Sequence, residues 1–457
     1  MSAPLILVMA GGVLILIMEA IMQGLERIRT TAAAEHVGQR VRLAGWLYRL
    51  RRMGGINFLV VRDGYGLFQA MIDDPDALAP LRDAGTESVI EVEGTVVAEP
   101  QAPGGVELHD CRVRVVVPVS ETLPFELNKP VISAGLDVFL DHAPVGLRHP
   151  RMRATFRLFS GILSGFRAHL SSEGFTEIQS PKLVGMATEG GANVFAVEYF
   201  GRKAYLAQSP QLYKQIMVGV YERVFETGPV FRAEPHDTTR HTNQYTSLDA
   251  EMGFIEDHRD VMRVLTGVVR TIFAELRAHY ARELALLEAD VPTVGEEIPS
   301  IRFREAQQII YARHGEDCRG EDDLAPQHER WLCEWAAEEH GSELLFVTHY
   351  PASKRPFYTM PATGDPAHTH SFDLLCRGTE IVTGGQRVHR YEQLLAHLAR
   401  WGLTEEGFEG YLEAFRYGMP PHGGFGMGAE RLLQTILGAG NLRETTLFPR
   451  DIKRLAP

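Results

Sequence analysis

The stretch from Arg40 to Val117 limits the available folds more than any other part of this chain. Short runs rich in β-branched residues, RVRLAGWL, INFLVVRD, GLFQAMID, SVIEVEGTVV and CRVRVVV, follow one another within about 80 residues. Turn signals separate them: Gly54-Gly55, Asp63-Gly64 and Pro103-Gly104-Gly105. Five strands this short and this closely spaced predict a small β-barrel.

A barrel of the OB type commonly offers a strand face to single-stranded nucleic acid. Two features favour that use over a plain spacer. Glu26 to Arg52 holds seven arginines (27, 29, 40, 42, 49, 51, 52) against Glu26 and Glu35, and Phe58 and Tyr65 lie among the strands as stacking platforms. The basic character is local. Over 457 residues, 46 Lys+Arg face 59 Asp+Glu, and a net charge of −13 argues against a protein that coats nucleic acid nonspecifically. With 45% hydrophobic and 23% charged residues the chain is a folded, multidomain globular protein. Its four cysteines are scattered without a Cys-x-x-Cys pair, which predicts neither a disulfide framework nor a cysteine-based zinc site and fits a reducing cytoplasm.

Ala3 to Met18 is an apolar run of 16 residues closed by Glu19, with no Lys or Arg before it. It is short of the roughly 20 residues of a membrane span, and it lacks the basic flank and cleavage site of a signal peptide. Residues 1–24 are therefore read as an apolar extension or a misassigned start, with Met22 opening an ordinary amphipathic segment, and no membrane association is expected. The barrel is expected over 25–120, a Pro- and Gly-spaced hinge over 121–150, and a second domain over 151–457.

In that second domain, Met152 to Ser171 places Phe156, Phe159, Ile162, Leu163, Phe166 and Leu170 on one helical face. A helix from near Asp260 turns Val261, Leu265, Val268, Ile272 and Leu276 inward. Strand-like stretches at 204–206, 224–231, 344–348, 371–375 and 380–383 mix with helices without strict βαβ alternation. The pattern predicts an α+β domain around a largely antiparallel sheet.

The chemistry concentrates in two segments. In Val230 to Phe254, VFRAEPHDTTRHTNQYTSLDAEMGF, Arg232 and Glu234 alternate on a strand and share a face, which can set a guanidinium on a phosphate and a carboxylate on an amino-purine edge. The loop Thr238 to Asn243, with Arg240 and His241, could close over phosphates. Tyr245 to Phe254 returns as a strand with Asp249 and Glu251 on one face. The plain alternative is a salt-bridged amphipathic hairpin. His236 and His241, five apart on a loop with no third ligand, read as solvent-facing rather than as a metal pair.

Near the C-terminus, PHGGFGMGAER (Pro421 to Arg431) opens a helix through Leu432, Leu433, Ile436 and Leu437. Gly424, Gly426 and Ala429 fit G-x-G-x-x-A, with Asp451 about 20 residues on. No apolar strand precedes them, however, and only 26 residues follow, too few for a βαβ unit. The better reading is a glycine-thinned strand and turn that lets a planar base approach the backbone, with Arg431 on the following helix to stack on it or reach its phosphates. No G-x-x-x-x-G-K-[ST] occurs, which excludes a P-loop NTPase.

In order, the helix and strand ending at Pro181, the FRAE hairpin and the GMGAER helix resemble the three signature motifs of class II aminoacyl-tRNA synthetases. AQSPQLYKQ (207–215), RPFYTM (355–360), SFDLLCRGTEI (371–381), GGQRVH (384–389) and LFPRD (447–451) are similar to the aspartyl branch, and the OB-like domain resembles its anticodon-binding module. The resemblance covers about residues 25–457. Fewer than 100 residues separate Phe254 from Phe346, so the compact archaeal type is the one resembled.

The resemblance implies ATP- and Mg²⁺-dependent activation of L-aspartate and its transfer to tRNA(Asp), and in relaxed members also to tRNA(Asn), by a cytoplasmic homodimer built on the Phe156 to Leu170 helix. It implies Arg232 on the α-phosphate and Arg431 on the adenine ring and γ-phosphate as the catalytic pair. Glu234 would take the adenine amino group, Arg240 and His241 would close the loop, and Gly428 would line the nucleotide. Asp373, Glu380 and Thr383 would be the Mg²⁺ ligands. Glu189, Ser209, Gln211 and Asp249 would hold the substrate ammonium and backbone, with Thr383 nearby, and Lys214 and Arg387 would form a dication around its side-chain carboxylate. Tyr48, Phe58, Gln69 and Pro103 fall at anticodon-reading positions, Pro103 where discriminating relatives carry lysine.

Two rivals are weighed on residues. The asparaginyl branch shares the scaffold but lacks a lysine like Lys214, whose buried ammonium would stand unpaired opposite a neutral amide. A non-catalytic OB-type nucleic-acid-binding relative would have a broken ATP site, whereas Arg232, Glu234, Glu380 and Arg431 are all present.

Overall fold

The computed structural model describes residues 25–186, 193–235 and 238–457; the apolar extension over 1–24, Glu189 and His236 lie outside the described residues. The chain divides into one unit ending at His149 and a second beginning at Pro150.

In the first unit, strands β1 (Arg40–Met53), β2 (Ile56–Arg62), β3 (Leu67–Ile72), β4 (Val89–Ala98) and β5 (Val106–Val117) close into a barrel in the order β1-β2-β3-β5-β4. Period-two alternation fills it: Val41, Leu43, Leu59, Val61, Ala70, Ile72, Ile90, Val92 and Leu108 all point inward. The intervening residues face outward, so Phe58 pairs with Met71 and Val60 with Gln69 on one half-buried outer surface. Gln69 Nε2 donates to Glu107 Oε2 at 2.7 Å. Pro103 is exposed in the turn between β4 and β5. Tyr65 is exposed as well, with the Arg29 guanidinium 4.2 Å above its ring.

Tyr48 departs from expectation. The β1–β2 register slips between Leu47 and Arg49, which makes Tyr48 the extra residue of a bulge and buries it beside Leu47. It is largely buried but not among the residues that fill the barrel, and its burial raises the phenol pKa. Two short helices, Leu136–Asp141 and Ala143–Gly146, form in the segment expected as a hinge.

The second unit is built on eight strands. From edge to edge they run Ser300–Arg302, Leu344–Thr348, Ser371–Cys376, Thr379–Gln386, His422–Gly428, Gln244–Gly253, Arg223–Phe231 and Thr176–Glu177. Every neighbouring pair is antiparallel except the two outermost, which are parallel. Of FTEIQSP only Thr176–Glu177 joins the sheet.

Helices Pro150–Ser172, His258–His279 and Ala429–Leu437 supply Leu158, Ile162, Phe166, Leu265, Ile272 and Leu433 to a core shared with Leu374 and Phe425 of the sheet. The inward residues of His258–His279 are those the periodicity predicts. The helix starts earlier than Asp260 because Asp257 caps it, accepting from the Arg259 backbone N–H at 2.8 Å. The Pro150–Ser172 helix is rotated from its expected face. Phe156, Phe159 and Leu163 sit half-buried at the margin, while Ala154, Leu158, Gly161, Ile162, Gly165 and Phe166 are buried. Packing explains the rotation: a Cβ on Gly165 would stand 2.8 Å from Ile272 Cα, so only glycine permits this helix–helix approach. The four cysteines are free and buried. No helix among the described residues is long and apolar enough to cross a membrane.

Candidate active site

Strand alternation puts polar groups on the sheet face opposite the helical core. On Gln244–Gly253, Leu248, Ala250 and Met252 enter the core, so Ser247, Asp249 and Glu251 point the other way. The neighbouring strand His422–Gly428 sets Gly428, Gly426 and Gly424 opposite these three. A Cβ on Gly424 would stand 2.1 Å from Glu251 Oε2, and one on Gly426 3.2 Å from Asp249 Oδ1. These two glycines thus make room for the carboxylates of the next strand, where a bare surface for a planar base was expected. Gly428 lines the open cavity beside Arg431.

The carboxylates hold two buried cations. Lys214, on helix Gln211–Tyr221, donates to Asp249 Oδ1 at 2.9 Å and to the Phe425 carbonyl at 3.0 Å, and lies 3.3 Å from Glu251 Oε2. Arg387 Nε donates to Glu251 Oε1 at 2.8 Å and its Nη2 to the Gly424 carbonyl at 3.0 Å. The expected dication is therefore balanced by Asp249 and Glu251. Burial pushes the Glu251 carboxyl up, but Arg387 and Lys214 outweigh it and hold the pKa below the ordinary range. The Ser247 hydroxyl donates to Asp249 Oδ2. Ser209 and Gln211 flank Lys214 on the cavity wall, and Gln211 Nε2 is a buried donor with no hydrogen bond among the described residues.

The strand Arg223–Phe231 ends one residue before Arg232, so Arg232 and Glu234 lie beyond the sheet and not on a strand as predicted. They still share a site because Asn243 pins them. Its Nδ2 donates to the Arg232 and Glu234 carbonyls at 2.7 and 3.1 Å. Both side chains line one cavity of about 310 Å³. His241 Nε2 stands 3.6 Å from Glu234 Oε2. Arg240 Nη2 donates to Glu329 Oε2 at 2.8 Å, and the same oxygen accepts from the Glu380 backbone N–H at 3.2 Å. Glu329 is one of four glutamates on its helix, Pro326–His340, and nothing in the sequence sets it apart.

On the opposite wall, Arg431 Nη1 donates to the Glu380 carbonyl at 3.2 Å and Thr383 Oγ1 to Glu380 Oε1 at 2.9 Å. Asp373 pairs with Thr383 across the strands and accepts from Arg355 Nη2 at 2.7 Å through Oδ2. Its Oδ1 is buried without a hydrogen-bond partner among the described residues. Burial pushes the Asp373 carboxyl up to about 6, with Glu380 adding to the rise and Arg355 opposing it. Two mutually repelling carboxylates, an unmatched oxygen and a hydroxyl are a donor set suited to a hard divalent cation such as Mg²⁺. Arg355 belongs to the RPFYTM segment but was not singled out from sequence. Glu430, also unforeseen, accepts from the Thr246 N–H through both carboxylate oxygens at 3.0 Å, and burial lifts its pKa to about 7.

The cavity thus presents Arg232, Arg240 and Arg431 to an anionic ligand at one end and a buried Lys–Arg pair at the other. Residues 136–452 match the family described as tRNA synthetases class II (D, K and N), and residues 41–116 match an OB-fold nucleic acid binding domain. The chain is 46% identical over 438 residues to an aspartate–tRNA(Asp/Asn) ligase of Deinococcus radiodurans, covering 95% of this chain and 99% of that protein. It is 41% identical over 425 residues to an aspartate–tRNA(Asp) ligase of Pyrococcus furiosus, covering 92% and 97%. Among solved structures, asparaginyl-tRNA synthetase from Pyrococcus horikoshii complexed with asparaginyl-adenylate superposes with a TM-score of 0.88 at 33% identity, covering 94% of this chain and 100% of that one.

Proposed function

We infer the chemistry from the family: the chain belongs to the class II aminoacyl-tRNA synthetases of the aspartate, lysine and asparagine group, and it is an aspartate–tRNA ligase. The observation that carries the amino-acid assignment is the 41–46% identity, over more than nine-tenths of the chain, to aspartate–tRNA ligases. In the first step the aspartate α-carboxylate attacks the α-phosphorus of ATP in line, and pyrophosphate leaves with the electrons of the broken P–O bond. In the second, a terminal ribose hydroxyl of tRNA attacks the activated carbonyl and AMP leaves. No protein nucleophile is needed; position and charge carry the rate.

Arg232 neutralises charge at the α-phosphate, Glu234 accepts from the adenine amino group, and Arg431 stacks on the ring and reaches the γ-phosphate. His241 and Arg240 close the loop once Arg240 leaves Glu329. Asp249, Ser209, Gln211 and Glu189 hold the ammonium and backbone of aspartate, and Lys214 with Arg387 takes its side chain. Asp373, Glu380 and Thr383 would hold Mg²⁺, which supplies neutralisation of triphosphate charge when bound.

We assign anticodon reading to the barrel over 25–120 and catalysis to 151–457, joined by 121–150. Phe58 and Gln69 are its reading residues, with Pro103 at the loop. A homodimer in the cytoplasm acting on tRNA(Asp) and also on tRNA(Asn) completes the reading. The test is amino-acid-dependent pyrophosphate exchange with purified full-length chain. Exchange with aspartate and not with asparagine is expected, and equal exchange with both overturns the assignment.

A further inference from the structure

Three imidazoles meet in a cleft of about 420 Å³ that shares no lining residue with the nucleotide-type cavity. His258 opens helix His258–His279, His349 follows strand Leu344–Thr348, and His370 precedes strand Ser371–Cys376. Their ring centroids are 5.0 Å (258 to 349), 5.1 Å (258 to 370) and 5.6 Å (349 to 370) apart. One nitrogen from each ring lies within 4.8 Å of the other two.

Each ring has a nitrogen left over by its hydrogen bonds among the described residues. His258 is only 4% exposed, and its Nδ1, like that of His370, is buried with no hydrogen-bond partner among the described residues. A buried polar atom left unmatched costs stability, which is reason to look for a missing ligand. His349 Nδ1 is engaged by the Thr348 hydroxyl at 2.9 Å, which leaves Nε2 available. His370 Nε2 accepts from the Thr363 backbone N–H at 3.2 Å, so the metal-free ring carries its proton on Nδ1. For Nδ1 to serve as a ligand the proton moves to Nε2 and turns from the Thr363 N–H to the Thr363 hydroxyl, 3.4 Å away. Such outer partners set the tautomer and ring orientation of metal-bound imidazoles.

The backbone reinforces the arrangement. His349 has φ of 60°, a left-handed conformation unusual for histidine, and its N–H donates to the Ser371 carbonyl at 2.9 Å. Strain of this kind persists only where the surroundings impose it. Asp257, Glu305, Arg259 and Arg302 line the same cleft, and Arg259 is paired with Asp257. Burial and the neighbouring rings hold His258 at about 3, while burial and Arg302 hold His349 at about 4; burial depresses His370 as well. All three rings are therefore neutral at physiological pH, so a metal meets no imidazolium charge.

We propose that His258, His349 and His370 form a binding site for a divalent transition-metal ion of the zinc type, with solvent or an anionic ligand in the fourth position. Three neutral imidazoles with one open position suit Zn²⁺ and disfavour Mg²⁺, which prefers oxygen. Metal–nitrogen bonds of about 2.0–2.1 Å bring tetrahedral ligand atoms to about 3.3 Å from one another, so the rings close slightly on the ion. The site is separate from the Asp373 and Glu380 carboxylates, and it ties a helix start to two strand ends.

The test uses the full chain, stripped of metal by chelator and titrated with Co²⁺ as a visible-absorption probe in the absence of ATP and Mg²⁺. One Co²⁺ per chain with an intense tetrahedral band, displaced by Zn²⁺, is expected. The band should weaken, with Zn²⁺ affinity down by about tenfold or more, in His349→Ala or His370→Gln. These two half-buried positions are chosen because replacing the buried His258 endangers the fold, and circular dichroism confirms that each variant is native. Zn²⁺ should also raise the thermal midpoint of the wild type but not of the variants. Absence of a band in the wild type, or its persistence in both variants, overturns the proposal.

Discussion

Lys214 Nζ stands 2.9 Å from Asp249 Oδ1, with both side chains almost wholly buried. The lysine is thus held by an acid of the strand beneath it before any substrate arrives, and its position is set by the protein alone. A ligand carboxylate that binds Lys214 must therefore compete with Asp249 and Glu251 for an ammonium whose position is already fixed.

Lys214→Leu should reduce aspartate-dependent pyrophosphate exchange by about 10²–10³-fold in kcat/KM, in line with roughly 3–4 kcal/mol for one partner of a buried charged pair. ATP affinity should stay near the wild-type value. Equal loss of ATP binding would mean that Lys214 supports the whole cavity and not the amino-acid end.

Glu251→Gln should destabilise the second unit by about 3–5 kcal/mol, because Arg387 and Lys214 both lose a buried counter-charge. The folded pKa of Glu251 lies below its unfolded value of 4.5. Its contribution is therefore present above about pH 4.5 and lost as pH falls through the lower, folded value. Acid denaturation profiles of wild type and variant should converge at low pH and separate toward neutrality.

Glu430 has the opposite sign. Its folded pKa is raised from 4.5 to about 7, so it favours the fold fully below pH 4.5 and loses that contribution as pH rises through 7. Glu430→Gln should flatten stability across that window and gain on the order of 2–3 kcal/mol at pH 8 relative to wild type. Denaturant melts at pH 5, 6, 7 and 8 check this.

Asp373, raised to about 6, must lose its proton to serve as the proposed Mg²⁺ ligand. The apparent Mg²⁺ affinity in pyrophosphate exchange should fall by up to about tenfold per pH unit below 6 and level off above it. Asp373→Asn should raise the Mg²⁺ requirement and remove that dependence.

Aspartylation of tRNA(Asp) and tRNA(Asn) transcripts at matched salt should agree within about tenfold in kcat/KM. Proline at 103 offers no N–H donor and a fixed φ, so it supplies no base-specific hydrogen bond at that loop. A preference of several hundredfold for tRNA(Asp), roughly 3–4 kcal/mol, would sink the relaxed reading. With Tyr48 buried, the next residues to examine would be Phe58 and Gln69 on the outer surface.

Much of this molecule is legible along the chain. The five barrel strands and the inward set of His258–His279 follow from periods of two and 3.6 residues, which are local properties. The FRAE and GMGAER segments carry enough chemistry to pick out Arg232, Glu234 and Arg431 as groups that gather around one cavity. Less legible are positions whose meaning depends on register. Tyr48 follows the strand pattern in sequence, yet one slipped pair makes it the extra residue of a bulge and leaves it buried. Phe156 looks like core, but Gly161 and Gly165 set a closer helix contact and rotate it to the margin.

The sequence by itself determined the order and type of the elements, the identity of the motif side chains and the family, because those depend on short-range pattern and residue chemistry. The tertiary structure alone decided that Glu251 fills the space left by Gly424, that Arg240 rests on Glu329, and that His258, His349 and His370 meet. The physical reason is distance along the chain. Each of these contacts joins segments tens to hundreds of residues apart, and their apposition is set by strand register and helix packing, which no single segment encodes.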